Sequence, residues 1–309
     1  MKRREFAGAL GVGLLGLRFP SLRRAADDRL VERWSWAMGQ PVHLQLFAAS
    51  ETEGFEAAQK AFAELRRIER ALSLFDESSD LCEVNRLAGR NSVRVGADLA
   101  TVLESGLRFE RETGGAFNPA VEPLMRAWGF HAPRTTEPTR AEIVAARDVV
   151  RASRVVVAGD RVTLPVSGTK IDLGGIGVGY GLDRAIDVLR RAGIRRALLD
   201  ISGDCFALGA PPGQEGWEVG VADPHRRGAV VAVTRIRDQA IATSSNSVSV
   251  VRYGRAVRGH VMDTSTGWPA AGRVQVTVVA RTGIEADALS TAMLVSGKQS
   301  AGVVRAYSV

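Results

Sequence analysis

The chain has 309 residues, 45% of them hydrophobic and 24% charged, with a formal charge of +7. That length holds one large domain or two small ones with an ample core, and the balance excludes a disordered chain. The longest lipid-compatible run, Ala7 to Leu17, has 11 residues, well short of the roughly 20 needed to cross a bilayer, so a multi-span membrane protein is excluded.

The first 26 residues carry six basic groups against Glu5 alone, leaving 35 basic and 33 acidic residues in the remainder. With no basic stripe or interleaved aromatics, nucleic-acid binding is not expected. The start reads MKRREFAGALGVGLLGL, a charged stretch and then a short Gly-broken apolar one, the pattern of an export signal. Arg3, Arg4 and Phe6 fit the twin-arginine type, which delivers folded proteins. Residues 1–26 are therefore read as an export signal, with Ala25–Ala26 the one plausible cleavage pair, and as a route to membrane association. Residues 27–309 are read as one domain in an exported, periplasmic or membrane-associated protein. Cys82 and Cys205 show no metal-ligand spacing; two buried thiols are expected over a disulfide.

Helical spacing runs from Gly54 to Leu72, through Phe55, Ala58, Phe62, Leu65 and Ile68. Asp98 to Thr113 reads as a second helix, ended by Gly114–Gly115. Asp183 to Ala192 reads as a third, closed by Gly193. Short β-branched runs follow at Ala197–Ile201, Trp217–Val221, Val230–Ile236 and Val274–Ala280, then a last helix from about Glu285 to Val295. Without strict strand–helix alternation, this is an α+β domain of mixed helices and mainly antiparallel sheets, with a small insertion near 130–165.

The common signatures are missing. Gly174–Gly181 does not give Gly-x-Gly-x-x-Gly in register, and there is no P-loop, His-Glu-x-x-His, zinc-type Cys pair or Gly-x-Ser-x-Gly. Five other stretches stand out: LSLFDESSDLCEVNRLAG from Leu72, GGAFNPAVEPLMRAWGF from Gly114, KIDLGGIGVGYGLDRAIDVLRRAGIRRALLDISGD from Lys170, AIATS from Ala240 with HVMDTSTG from His260, and EADALSTAM from Glu285. Asp287 and Thr291 stand four apart on the last helix, on one face, and together suit a hard cation such as Mg²⁺. They also suit a first-turn acid and an inward threonine. The glycine block fits either a backbone cradle for a pyrophosphate or a tight strand-to-helix turn.

In this order the stretches resemble the ApbE family of flavin transferases, which split FAD and attach its FMN half to a protein threonine. The likeness covers about Met38 to Gly297, through the blocks Asp172–Tyr180, His260–Gly267 and Ala286–Ala292. It implies a Mg²⁺ site from Asp287, Thr291 and the Gly177 carbonyl, with FAD as substrate and a flavoprotein with a target threonine as acceptor. It implies His260 as general base, an imidazole being suited to that at neutral pH, with Asp263 orienting it or supporting the metal. Met38, Gly39, Phe75, Trp128, Asp183, Thr243 and Ser244 become candidate flavin-site residues; Trp128 also suits the interior, and Asp183 a helix cap. His43, His131 and His225 read as structural. Val178 stands where the family usually has lysine, Thr264 where it has proline, and Ser202 and Ser245 where it has glycines; Phe75 lacks the usual phenol. The alternatives are an FAD pyrophosphatase giving FMN and AMP, and a non-catalytic FAD-binding protein, the latter supported by Val178 and Thr264.

Overall fold

A computed structural model describes residues 28–309; the export signal expected at 1–26 lies outside them. The chain opens with two strands, β1 (Arg29–Ala37) and β2 (Gln40–Ala48), then α1 (Glu51–Leu72), α2 (Asp80–Arg86), β3 (Val93–Arg94) and α3 (Ala97–Glu112). Next come α4 (Glu122–Ala127), α5 (Arg140–Ala152), β4 (Val156–Ala158), β5 (Arg161–Thr163) and α6 (Gly177–Arg191). The C-terminal half holds β6 (Ala197–Ile201), β7 (Asp204–Leu208), β8 (Trp217–Ala222), β9 (Val230–Ile236), β10 (Gln239–Ser245), β11 (Val250–Tyr253) and β12 (Ala256–Gly259). It ends with β13 (Met262–Asp263), β14 (Trp268–Pro269), β15 (Gln275–Ala280), α7 (Gly283–Ser296) and β16 (Arg305–Ser308).

Seven strands form the central sheet in the order β1-β2-β6-β7-β10-β15-β16, every neighbouring pair antiparallel. Helices α1, α6 and α7 cover one face. The β8–β9 ribbon covers part of the other, closing Trp217, Val221 and Ile236 over Phe47, Leu198 and Ile241. This is the expected α+β architecture. The expected insertion near 130–165 does not coincide with one unit: α4 and α5, from Glu122 to Ala152, form a side lobe with its own small core of Leu124, Trp128, Ile143, Val150 and Met262, while β4 and β5 form a sheet with β3.

The helices differ instructively from their sequence expectation. α1 begins at Glu51 rather than Gly54, because the Ser50 hydroxyl accepts the Glu53 amide and Glu51 and Glu53 complement the helix dipole. Phe55 lies outside the core with the Arg33 guanidinium 3.6 Å over its ring. α6 starts six residues before the expected Asp183, inside the glycine block. The reason is packing: a Cβ at Gly179 would lie 2.2 Å from the Gly283 carbonyl oxygen, and one at Gly283 would lie 2.3 Å from that of Gly179. Two helix backbones cross here in direct contact, which only glycine permits. α7 is buried on nearly every side, which leaves it without an amphipathic stripe. The β1–β2 hairpin was not read from the sequence; its two-residue turn, Met38–Gly39, has positive φ at both positions (55° and 71°), the geometry that matches strand twist in tight hairpins.

Candidate active site

The turn Asp172–Gly175 joins two groups of side chains. On one side, Asp287 is buried on α7, and its Oδ2 accepts the Gly179 amide of α6 at 3.0 Å. One helical turn later the Thr291 hydroxyl lies 2.9 Å from that of Ser244 on β10, which is also 2.8 Å from Ser290. A Cβ at Gly175 would sit 3.0 Å from the Thr291 hydroxyl, so the turn presses against this cluster. Asp204, opening β7, accepts the Thr243 amide at 2.8 Å, and the Thr243 hydroxyl meets that of Thr277 at 2.9 Å.

The electrostatics here are unbalanced. Burial pushes Asp287 up to about 7. Burial, and then the charge of Asp287, push Asp204 well above the ordinary carboxylate range. Neither acid has an ion-pair partner among the described residues, and buried like charges without a counterion are unstable. The donor set is carboxylate and hydroxyl oxygen, which suits a hard cation. Among the described residues no three His, Cys, Asp or Glu side chains converge, so an ion here would rest mainly on Asp287, Thr291 and main-chain oxygen. Gly177, the carbonyl donor implied by resemblance, is the buried first residue of α6, two positions before the amide that holds Asp287.

Asp183 is committed elsewhere. Its two oxygens accept the Gly283 and Ile284 amides at 2.6 and 3.0 Å, so it caps α7 from α6, and burial pushes it up to about 6. The amides of the glycine block are spent in the same way: Gly174 on Asp172, Ile176 and Gly177 on the Leu173 carbonyl, Gly179 on Asp287. The tight-turn alternative describes this stretch better than an open anion cradle.

On the other side of the turn stands His260, half-buried after β12, with its Nδ1 enclosed and without a hydrogen-bond partner. Burial lowers its pKa; the main chain at Ser249 and the Asp172 carboxylate favour its charged form, and His131 opposes it. Asp263 accepts the amide and hydroxyl of Ser265 on its Oδ1 at 2.9 and 2.6 Å, within its own loop. The Asp172 carboxylate lies with its Oδ2 2.7 Å from His131 Nε2.

The aromatic candidates separate sharply. Phe75 is 78% exposed and meets His131 edge-on at 5.8 Å. Trp128 is fully buried, its indole N–H donating to the Gly267 carbonyl at 2.9 Å and its ring packed on Trp268. Trp128 therefore fills the side-lobe interior and offers no face to a flavin. Met38 is half-buried with its methyl against Gly177 and Gly181, and Gly39 donates its amide to Glu69 at 3.0 Å.

The chain matches the ApbE family over residues 38–306, nearly all of what the structure describes. It belongs to the ApbE family. An FAD:protein FMN transferase of Treponema pallidum is 32% identical over 81% of this chain and 74% of that protein. One of Rhodobacter capsulatus is 33% identical over 69% of this chain and 41% of that longer protein. Among solved structures, an ApbE protein of Thermotoga maritima superimposes with a TM-score of 0.79 at 29% identity, covering 86% of this chain and 87% of that one.

Within this ApbE chain the departures noted in the sequence find local explanations. The Thr264 hydroxyl donates to the Gly115 carbonyl at 3.1 Å, tying the His260 segment to the Gly114–Gly115 turn. Ser245 binds the Val274 carbonyl at 3.1 Å and Ser247 at 2.8 Å. Ser202 adopts φ 53° in the β6–β7 turn. Val178 is half-buried against the main core and brings no charge. Three site residues escaped sequence reasoning. Asp172 and Asp204 stood inside quoted stretches with no role given, and His131 carried no spacing that set it apart.

Proposed function

We propose that this ApbE chain transfers the FMN moiety of FAD to a threonine hydroxyl of a partner protein and releases AMP. The observation that carries this reading is the joining, by one turn, of a buried acid–hydroxyl cluster lacking positive charge to an imidazole with an unpartnered nitrogen. His260 takes the proton of the attacking threonine hydroxyl. A new bond forms from that oxygen to the FMN phosphorus, the bond to the AMP oxygen breaks, and AMP leaves with the electron pair. Asp287, Thr291 and the Gly177 carbonyl would hold Mg²⁺, which would supply positive charge to offset the charge growing on the phosphoryl oxygens. Ser244 fixes the Thr291 hydroxyl, Gly179 fixes Asp287, and Asp183 locks α7 against α6. Met38, Gly39 and Phe75 would contact the flavin, and Thr243 and Ser244 would serve the adenine end. The acceptor is an exported or membrane-bound redox protein, reached after twin-arginine export through residues 1–26 to the outer side of the cytoplasmic membrane.

The test is incubation of the chain with FAD, Mg²⁺ and an exported flavoprotein domain carrying an exposed threonine, followed by denaturing electrophoresis. A fluorescent acceptor band that disappears with a chelator supports the reading. Release of FMN and AMP without a band would favour the pyrophosphatase, and intact FAD would leave only binding.

A further inference from the structure

Strand β1 lies at one end of the central sheet and pairs with β2 alone. Its pairing fixes which of its main-chain groups are free. Met38 and Gly39 close a two-residue turn with positive φ at both positions, so Ala37 and Gln40 exchange hydrogen bonds, and bonded pairs alternate from there along the hairpin. Val31, Arg33, Ser35 and Ala37 spend their main-chain groups on β2, and those of Leu30, Glu32, Trp34 and Trp36 point away from the sheet. Pro41 agrees with this alternation: it stands opposite Trp36, where the β1–β2 ladder needs no amide. No other element reaches the outward groups among the described residues; the Glu32 carbonyl meets only the Arg33 guanidinium, at 3.0 Å.

The side chains of the same residues form an uncovered face. Trp34 and Trp36 are 59% and 63% exposed. The β8–β9 ribbon packs on this side of the sheet at Phe47, Leu198 and Ile241 and leaves the tryptophans bare. Trp34 is nonetheless fixed: its ring stacks on that of His43 at 3.9 Å and 12°, and His43 is buried in β2. Large exposed aromatics held in place serve binding surfaces as anchors. The strand has no proline and no bulge to blunt its edge, and its charges, Arg29, Glu32 and Arg33, leave the Trp34–Ala37 end uncharged.

We propose that β1 is the docking edge for the acceptor protein, which adds an extended, uncharged segment of its own chain to the sheet along Trp34 and Trp36. The proposal rests on the transferase reading. A free row of N–H and C=O groups fits an extended strand rather than a helix. The place of the edge says whose strand it is. Met38, two residues after Trp36, brings its methyl 4.0 Å from where a Cβ would stand at Gly177 and 3.6 Å from one at Gly181. A segment paired beside Trp36 is therefore held next to the turn that touches the start of α6, where the site begins. A second copy of this chain fits less well, because two β1 strands paired antiparallel over their whole length set Arg33 against Arg33.

The experiment uses the full chain and an exported flavoprotein domain carrying an exposed threonine. Trp36→Lys puts a charge on the face, and Trp36→Pro removes an outward amide that β2 does not use. Val156→Lys, at a 50% exposed position on β4, is the control. Both Trp36 variants should raise the KM for acceptor about tenfold, the scale of losing an interface anchor, while kcat at saturating acceptor and the KM for FAD stay as in wild type. Added acceptor should slow amide exchange at Trp34 and Trp36 even without FAD. An acceptor KM unchanged in both variants, or exchange unchanged at both amides, overturns the proposal. A KM that rises equally for FAD overturns it too and makes the edge part of the flavin site. A wild-type dimer in light scattering that Trp36→Lys turns into a monomer, with the acceptor KM unmoved, gives the edge to a second copy instead. Failure of the transferase reading looks different: the wild type then labels no acceptor at any concentration, and the proposal falls with it.

Discussion

The two halves of the site are built by opposite means. The acid–hydroxyl half comes from regular elements deep in the fold: Asp287 and Thr291 on α7, Ser244 on β10, Asp204 at the head of β7. Helix and strand geometry place its oxygens, and a glycine-only helix crossing holds them. The imidazole half comes from connections: His131 beyond α4, Asp172 before α6, His260 between β12 and β13. A rigid half can fix a cation without adjustment, whereas a half made of loops depends on each hydrogen bond that ties them.

The largest expected effect tests the rigid half. Asp287→Ala should lower FMN transfer by about a thousandfold or more, the scale set by losing electrostatic stabilisation of a phosphoryl transition state, as measured by acceptor fluorescence. The same residue has a stability signature. Its folded pKa of about 7 lies above the unfolded value of 3.8, so the native state binds the extra proton between those values. Native stability from this group is therefore fully present below about pH 4 and falls as pH rises toward 7. Mg²⁺ should accordingly raise the Tm more at pH 8 than at pH 5, and Asp287→Asn should flatten both trends. A Tm indifferent to Mg²⁺ at pH 8 would break the cation reading.

Next comes the loop half. His260→Asn should cost roughly 10²- to 10⁴-fold in kcat, the usual worth of a general base, with the Mg²⁺-induced Tm shift intact. Equal losses of activity and of the Tm shift would erase the distinction between the halves.

Smaller effects probe the joints. Gly179→Ala puts a carbon 2.2 Å from the Gly283 carbonyl and should destabilise by about 3 kcal/mol in denaturant titration, the upper range of overpacking. Thr264→Val removes one hydrogen bond to Gly115, for about 1 kcal/mol, and should change activity little. A large catalytic loss there would mean that the His260 loop is far less well tied than its contacts indicate.

The same division governs what the sequence made legible. The Asp287–Thr291 pair is visible because a helix has a period, and β6, β8, β9 and β15 are visible because their branched residues cluster. The start of α6 was hidden because Gly179, chosen for backbone contact with Gly283, reads in isolation as a loop former. Asp263 stood out because it is near His260 in sequence; Asp172, 88 residues away, has no such signal, although its charge favours the protonated form of His260. His131 joined the site through loop packing alone, which has no period to read. Trp128 shows the reverse error: an aromatic inside a recognisable block, used for packing the side lobe.

Strand β1 separates two things that the chain must keep apart. The strand begins at Arg29, while Met38, just past its other end, touches α6 beside the site. Nine extended residues at about 3.3 Å each span roughly 30 Å. The strand is thus a stiff spacer that keeps the first described residues about that far from the contact with α6.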